Sequence, residues 1–123
     1  MRFFTVCLLS VLWTGALWGQ PVLKFETQGS DLGEISSKGG TVVREFAFEN
    51  TGDAPLVLSQ ADVSCSCTRV RLPRKPVAPG GKGVVTVSYD PRRQEGTFHK
   101  AIRISANTPE QKHVLTIRGT VVP

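Results

Sequence analysis

Two cysteines one residue apart, Cys65-Ser66-Cys67, followed by Thr68, form the constellation best able to do chemistry in this sequence. In an extended segment both side chains would project from the same face. Their Cα atoms would then lie about 6.5–7 Å apart, the outer limit for a disulfide, and a bulge or turn would bring them within range. The pair is open to several chemistries. It can form a local disulfide or a purely structural thiol pair. It can take part in thiol–disulfide exchange or bridge to another chain. As two thiolates it can hold a soft metal such as Cu(I) or zinc. Arg69 and Arg71 would favour a thiolate and repel a metal cation. Zinc normally takes four ligands, and the only other candidates, His99 and His113, have no recognisable spacing to the cysteines.

The other chemical signatures are absent or weak. Pro79-Gly80-Gly81-Lys82-Gly83 has a glycine where a phosphate loop needs serine or threonine for magnesium, and no helical pattern follows, so it is a turn into a strand. No Ser-His-Asp order accompanies a nucleophile elbow. Neither a catalytic residue nor a cofactor is therefore expected. The alternating pattern places His99 on the solvent face with Arg103 and Ser105, and His113 at a strand edge.

Charge is distributed unevenly. The chain carries +5, but residues 20–66 balance to −4 and residues 67–123 to +8. An exported protein rarely meets nucleic acid, so the basic half points to an acidic envelope protein or an anionic glycan or surface. Arg74 and Lys75, in the loop 73–83, and Arg92 and Arg93, in the loop 90–96, are the expected contact surface.

Export is read from the N-terminus. Met1–Arg2 is a short positive start, and Phe3–Trp18 is apolar apart from Thr5, Ser10, Thr14 and Gly15. Gly19, Gln20 and Pro21 then change the composition, the layout of a signal peptide cut between Gly19 and Gln20. The apolar run is shorter than the roughly 20 residues of a spanning helix, so no membrane span is expected after removal. Too few residues precede Cys7 for it to be a lipidated cysteine, so it leaves with the leader. The expected product is one domain, residues 20–123, carrying +4, in the periplasm or at the cell surface.

Past Pro21 there is no sustained helical period. Short β-rich runs alternate with turn residues: 21–27 with a short continuation at 31–35, then 41–50, 55–63, 65–72, 84–89, 97–105 and 114–121. Val42, Phe46 and Phe48 share a face, with Arg44 breaking the pattern; so do Leu56 and Leu58, Val85, Val87 and Tyr89, Phe98, Ile102 and Ile104, and Leu115, Ile117 and Val121. Strands with one polar face predict antiparallel sheets packed face to face. About seven in some 100 residues predict an all-β, immunoglobulin-like antiparallel β-sandwich. Both tryptophans, Trp13 and Trp18, lie in the leader, so Phe, Val, Leu and Ile must hold the core. Asn50-Thr51-Gly52-Asp53 has the composition of a tight turn.

These residues resemble the DUF1573 family. The resemblance is carried by Phe46-Ala47-Phe48-Glu49-Asn50-Thr51-Gly52, Pro55-Leu56-Val57-Leu58, Val63-Ser64-Cys65-Ser66-Cys67-Thr68 and Pro76-Val77-Ala78-Pro79-Gly80, with Tyr89-Asp90, Gly96-Thr97-Phe98, Ser105-Ala106-Asn107 and Ile117-Arg118-Gly119 downstream. It runs from about residue 25 to 121. It implies an immunoglobulin-like sandwich related to pilus-chaperone and cilium-associated domains, and export in Bacteroidetes-type bacteria. It implies no activity. Ser66 stands where the family usually has glycine, which reduces backbone freedom between the cysteines. The fold and the lack of a catalytic constellation together predict a non-catalytic binding module of the cell envelope, with a thiol-based redox or metal-handling protein using Cys65 and Cys67 as the alternative.

Overall fold

The computed structural model describes residues 19–123, so the expected leader lies outside the described residues except for Gly19. Eight strands follow in chain order: β1 Leu23–Phe25, β2 Gly29–Ser36, β3 Val42–Asn50, β4 Leu58–Val63, β5 Thr68–Arg71, β6 Lys82–Tyr89, β7 Gly96–Ala106 and β8 Lys112–Val122. They form two four-stranded sheets, ordered β1-β3-β6-β5 and β2-β8-β7-β4. The described residues contain no helix, and hence none long and apolar enough to cross a membrane.

Alternation fixes which side chains meet between the layers. Phe46 pairs with Val85 and Phe48 with Gly83 in the first sheet. Ile102 pairs with Leu115 in the second. Phe46, Phe48, Val85, Ile102 and Leu115 are all buried in the resulting core. Gly83 is required there, because a Cβ at that position would sit 2.6 Å from the Phe48 ring.

The expectation of a wholly antiparallel sandwich needs one correction. The first run is split between the sheets: β1 pairs antiparallel with β3, and β2 pairs parallel with β8. The chain changes layer between Phe25 and Gly29 without reversing direction, so its second half cannot lie antiparallel to the last strand. This split also gives eight strands. It explains Arg44 as well. The β1 pairing ends at Phe25↔Phe48, so the start of β3 is a sheet edge. There an inner-register arginine stays exposed, with its Nη1 donating to the Val43 carbonyl at 3.0 Å. A charge at such a position deters further strand pairing.

The 65–72 run is a second layer change. Residues 64–67 leave the edge of the second sheet, and Thr68–Arg71 join the edge of the first. Thr68 N–H donates to the Cys65 carbonyl at 3.1 Å, closing a turn.

Asn50 does more than turn the chain. It has the inward parity of Phe46 and Phe48, and it is fully buried. Its Oδ1 accepts from the backbone N–H of Val22 (3.2 Å) and Gly52 (3.0 Å). Its Nδ2 donates to the carbonyls of Ala54 (2.8 Å) and Val77 (2.9 Å). Its backbone N–H donates to Gly81 and its carbonyl accepts from Gly80. One residue thus ties the lead into β1, the 52–54 turn and the β5–β6 loop together. Gly52 is held close to that lead, since a Cβ there would meet the Gln20 carbonyl and the Val22 nitrogen.

At the opposite end Tyr89 stacks on Phe98 across the two sheets, ring centroids 4.2 Å apart and planes 14° apart. Tyr89 is buried, and its hydroxyl has no hydrogen-bond partner among the described residues. Burial, with the neighbouring Asp90 charge adding to it, raises its pKa above the ordinary 10.0.

Replacing Asn50 with alanine removes four part-buried hydrogen bonds from a fully buried side-chain position, so urea unfolding is expected to show a loss of about 3 kcal/mol. Asn50→Asp is expected to cost at least as much at neutral pH, because a carboxylate would face two carbonyl oxygens. Tyr89 is the only tyrosine, so its phenolate absorbance reads one site. With a folded pKa above the unfolded one, the neutral phenol contributes fully below about pH 10, and that contribution is lost as the pH climbs toward the folded value. Phenolate absorbance and loss of the β circular-dichroism signal should therefore rise together above pH 10. Tyr89→Phe should remove that alkaline loss and leave neutral-pH stability unchanged or up to about 1 kcal/mol higher.

Candidate functional site

The four basic residues expected to form one contact surface fall into two places. Arg74 and Lys75 lie in the loop between β5 and β6, Arg92 and Arg93 in the loop between β6 and β7. Strand β6, with eight residues, separates the loops. At about 3.3 Å per residue, the two pairs stand roughly 25 Å apart at opposite ends of the sandwich.

The β5–β6 end carries a hollow of about 550 Å³. Arg74 and Lys75 line it, joined by Arg71 from the end of β5 and Lys82 from the start of β6. No carboxylate is among its lining residues, and Leu72, Pro76, Val77 and Val84 supply apolar wall. The loop is fixed from below. Leu56 and Val77 exchange backbone hydrogen bonds at 2.9 and 2.8 Å, and the Asn50 amide holds the Val77 carbonyl. From sequence Arg71 stood out only as a neighbour of the cysteines and Lys82 only as part of a turn into a strand, although a signal for the hollow existed. Arg71 shares outward parity with Arg69, and Lys82 is the last polar residue before an alternating run.

At the other end the sulfurs of Cys65 and Cys67 are bonded. The turn closed by Thr68 brings their Cα atoms to 5.1 Å, inside the range an extended segment would only graze. The sulfurs are therefore a local disulfide in this structure. The two differ in surroundings. Cys67 is 8% exposed and belongs to the core, and its Sγ lies 3.6 Å from Thr68 Oγ1. Cys65 is only partly buried, and its Sγ accepts the Cys67 N–H at 3.1 Å. So small a covalent loop adds little stability. In the chain-entropy view a three-residue loop contributes about 1.6 kcal/mol, against about 3 for fifteen residues.

Arg92 and Arg93 are next to this corner. Asp90 N–H donates to the Cys67 carbonyl at 2.8 Å, which docks the β6–β7 loop on the disulfide turn. Arg92 clamps Asp90 with its guanidinium, Nη2 to Oδ2 at 2.8 Å, and with its backbone N–H, at 3.0 Å to Oδ1. These hydrogen bonds, with lesser help from the charges of Arg92 and Arg69, hold the Asp90 carboxyl down to about 2. Arg93 has φ +64°, a left-handed conformation that costs a non-glycine residue roughly 1 kcal/mol. Two shallow hollows of about 390 and 320 Å³ open here, both lined by Ser66, Cys67 and Arg92, with Arg93 in one and Arg69 in the other.

The histidines lie apart from both places. His99 is exposed beside Arg118 on the outer face of the second sheet. His113 Nε2 is 2.7 Å from the buried Thr108 Oγ1. Among the described residues no three His, Cys, Asp or Glu side chains converge as metal ligands.

Comparison with known proteins agrees with this architecture. A protein of unknown function from Porphyromonas gingivalis W83 superposes with a TM-score of 0.69 at 20% identity, covering 88% of this chain and 49% of the other. The chain thus spans about half the length of that protein. The ASH / PapD-like domain 7 of human CEP192 matches with a TM-score of 0.59 at 10% identity, over 98% of this chain and 97% of the other. The Pseudomonas aeruginosa CupB2 chaperone matches with a TM-score of 0.53 at 14% identity, over 79% of this chain and 54% of the other. At these identities the likeness establishes the immunoglobulin-like sandwich fold and nothing finer. No curated protein matches the sequence. The sequence model of DUF1573, a protein family of unknown function, matches residues 23–121, the two-sheet sandwich almost in full, and the chain belongs to that family.

Proposed function

We propose that this chain is a non-catalytic, exported binding module of the bacterial cell envelope that holds an acidic segment of a partner protein in the hollow beneath the β5–β6 loop. The observation that carries the reading is the hollow itself: four cations, no carboxylate and an apolar wall. Such a lining suits a peptide that alternates anionic and apolar side chains. An anionic glycan would satisfy the cations and leave Leu72 and Val77 without apolar partners. The loop is braced by Asn50 and Leu56, so little ordering cost falls on binding. The fold supports an interaction role through its chaperone likeness.

Two features favour export. The Cys65–Cys67 disulfide fits an oxidising compartment. Gln20 N–H donates to Asp53 Oδ1 at 2.7 Å, so cleavage before Gln20 would leave an α-ammonium against a carboxylate.

The test is fluorescence anisotropy with a labelled peptide of alternating Glu and Leu. The double variant Arg74→Glu, Lys75→Glu is expected to weaken binding about tenfold or more, and binding should weaken with salt. The pair Arg92→Glu, Arg93→Glu, at the far end, is expected to change it by less than about twofold. Equal loss from both pairs, or no binding at all, would overturn the reading. Binding of a sulfated polysaccharide in place of the peptide, lost in the first variant, would exchange the partner class and overturn the peptide assignment.

A further inference from the structure

The disulfide corner lies at the end of the sandwich away from the hollow and has its own asymmetry. Cys65 and Cys67 differ in three respects that bear on thiol chemistry. Cys65 is reachable from solvent, and Cys67 is packed in the core. Cys65 Sγ already accepts a backbone N–H, from Cys67 at 3.1 Å, a donor that would stabilise a thiolate at that sulfur. The only donor near Cys67 Sγ is the buried Thr68 hydroxyl at 3.6 Å. The cations of this corner line its two hollows with Ser66 and Cys67: Arg92 is committed to Asp90, while Arg69 and Arg93 have no carboxylate partner among the described residues. The position costs little to open. The bond closes a loop with a sequence separation of 2, and the neighbouring strands are held by their own hydrogen bonds.

We infer that this corner is a thiol–disulfide exchange site in which Cys65 is the sulfur that meets partner thiols and Cys67 is the buried resolving sulfur. The partner class is a cysteine thiol of another envelope protein, which reacts as its thiolate. In the forward step the partner thiolate attacks Cys65 Sγ. A partner–Cys65 disulfide forms, the Cys65–Cys67 bond breaks, and its electron pair goes to Cys67 Sγ, which takes up a proton from solvent. A second thiolate on the partner then attacks the partner's own sulfur in that mixed disulfide. Cys65 leaves as a thiolate beside the Cys67 N–H, the partner keeps a disulfide, and the domain is left as a dithiol. Two electrons pass from the partner's thiols to the domain, and no other oxidant is involved. If the partner has no second thiol, Cys67 attacks Cys65 and releases it. The inference is independent of the peptide-binding reading, because it uses none of the hollow's residues.

The test uses the folded full-length chain and glutathione as the probe thiol. Cys67→Ser, mixed with glutathione disulfide, is expected to gain a mixed disulfide at Cys65 at least about tenfold faster than Cys65→Ser gains one at Cys67, and denaturant should remove the difference. Intact mass spectrometry gives the rates, and peptide mapping separates Cys7. A second measurement needs no variant: the wild-type protein is reduced, pulsed with iodoacetamide while folded, and fragmented to place the label on one side of Ser66. Label chiefly on Cys65 supports the assignment. Equal labelling, label chiefly on Cys67, or a native disulfide that glutathione opens only after unfolding would overturn it.

Discussion

The buried carboxamide of Asn50 is the constraint on which the rest of one end depends. An asparagine side chain has two donor hydrogens and an acceptor oxygen able to take two bonds, and all four are used here on backbone groups from three separate segments. Those segments are loops, which cannot satisfy their own backbone when they pass beneath a sheet. Without the amide, the lead into β1 and the 52–54 turn would lose partners for part-buried backbone groups, and the β5–β6 loop would keep only the Leu56 N–H on its Val77 carbonyl. With it, they are held in register against the sandwich, and the cations of Arg74, Lys75, Arg71 and Lys82 are displayed on a fixed frame.

The opposite end is built differently. There the chain leaves the second sheet, turns through Cys65–Cys67 and enters the first, while the β6–β7 loop docks through Asp90 onto the Cys67 carbonyl. Apolar stacking of Tyr89 on Phe98 closes the core beneath it. Charge is paired locally, in the Asp90–Arg92 clamp, and the Cys65–Cys67 link is covalent. One end thus displays cations on a braced loop and the other carries a covalent link between two neighbouring residues. The length of β6 keeps them from acting as a single site.

Much of the fold was legible in the residues. Runs such as Val85-Thr86-Val87-Ser88-Tyr89 alternate strictly, because one face of each strand must be buried and a one-residue slip would invert it. Arg44 breaks the pattern of its run because it lies at a sheet edge, a fact about the neighbouring strand. Asn50 read as a turn residue by composition, although its parity with Phe46 and Phe48 already pointed it inward. The site was legible only in part. The two cysteines and the basic loops were visible, and their grouping was not.

What the sequence alone determined is what depends on neighbours along the chain: the all-β class, the strand runs, the inward faces, the family motifs and the vicinal sulfurs. The tertiary structure decided what depends on neighbours across it. It split the first run between two sheets with a parallel pair, set the two arginine-bearing loops at opposite ends, gathered Arg71 and Lys82 into the hollow with Arg74 and Lys75, and buried one sulfur more deeply than the other. The physical reason is range. Side-chain alternation and turn preference act over a few residues. Which edge a strand joins is settled by the packing of two whole layers, and no local stretch of sequence encodes that by itself.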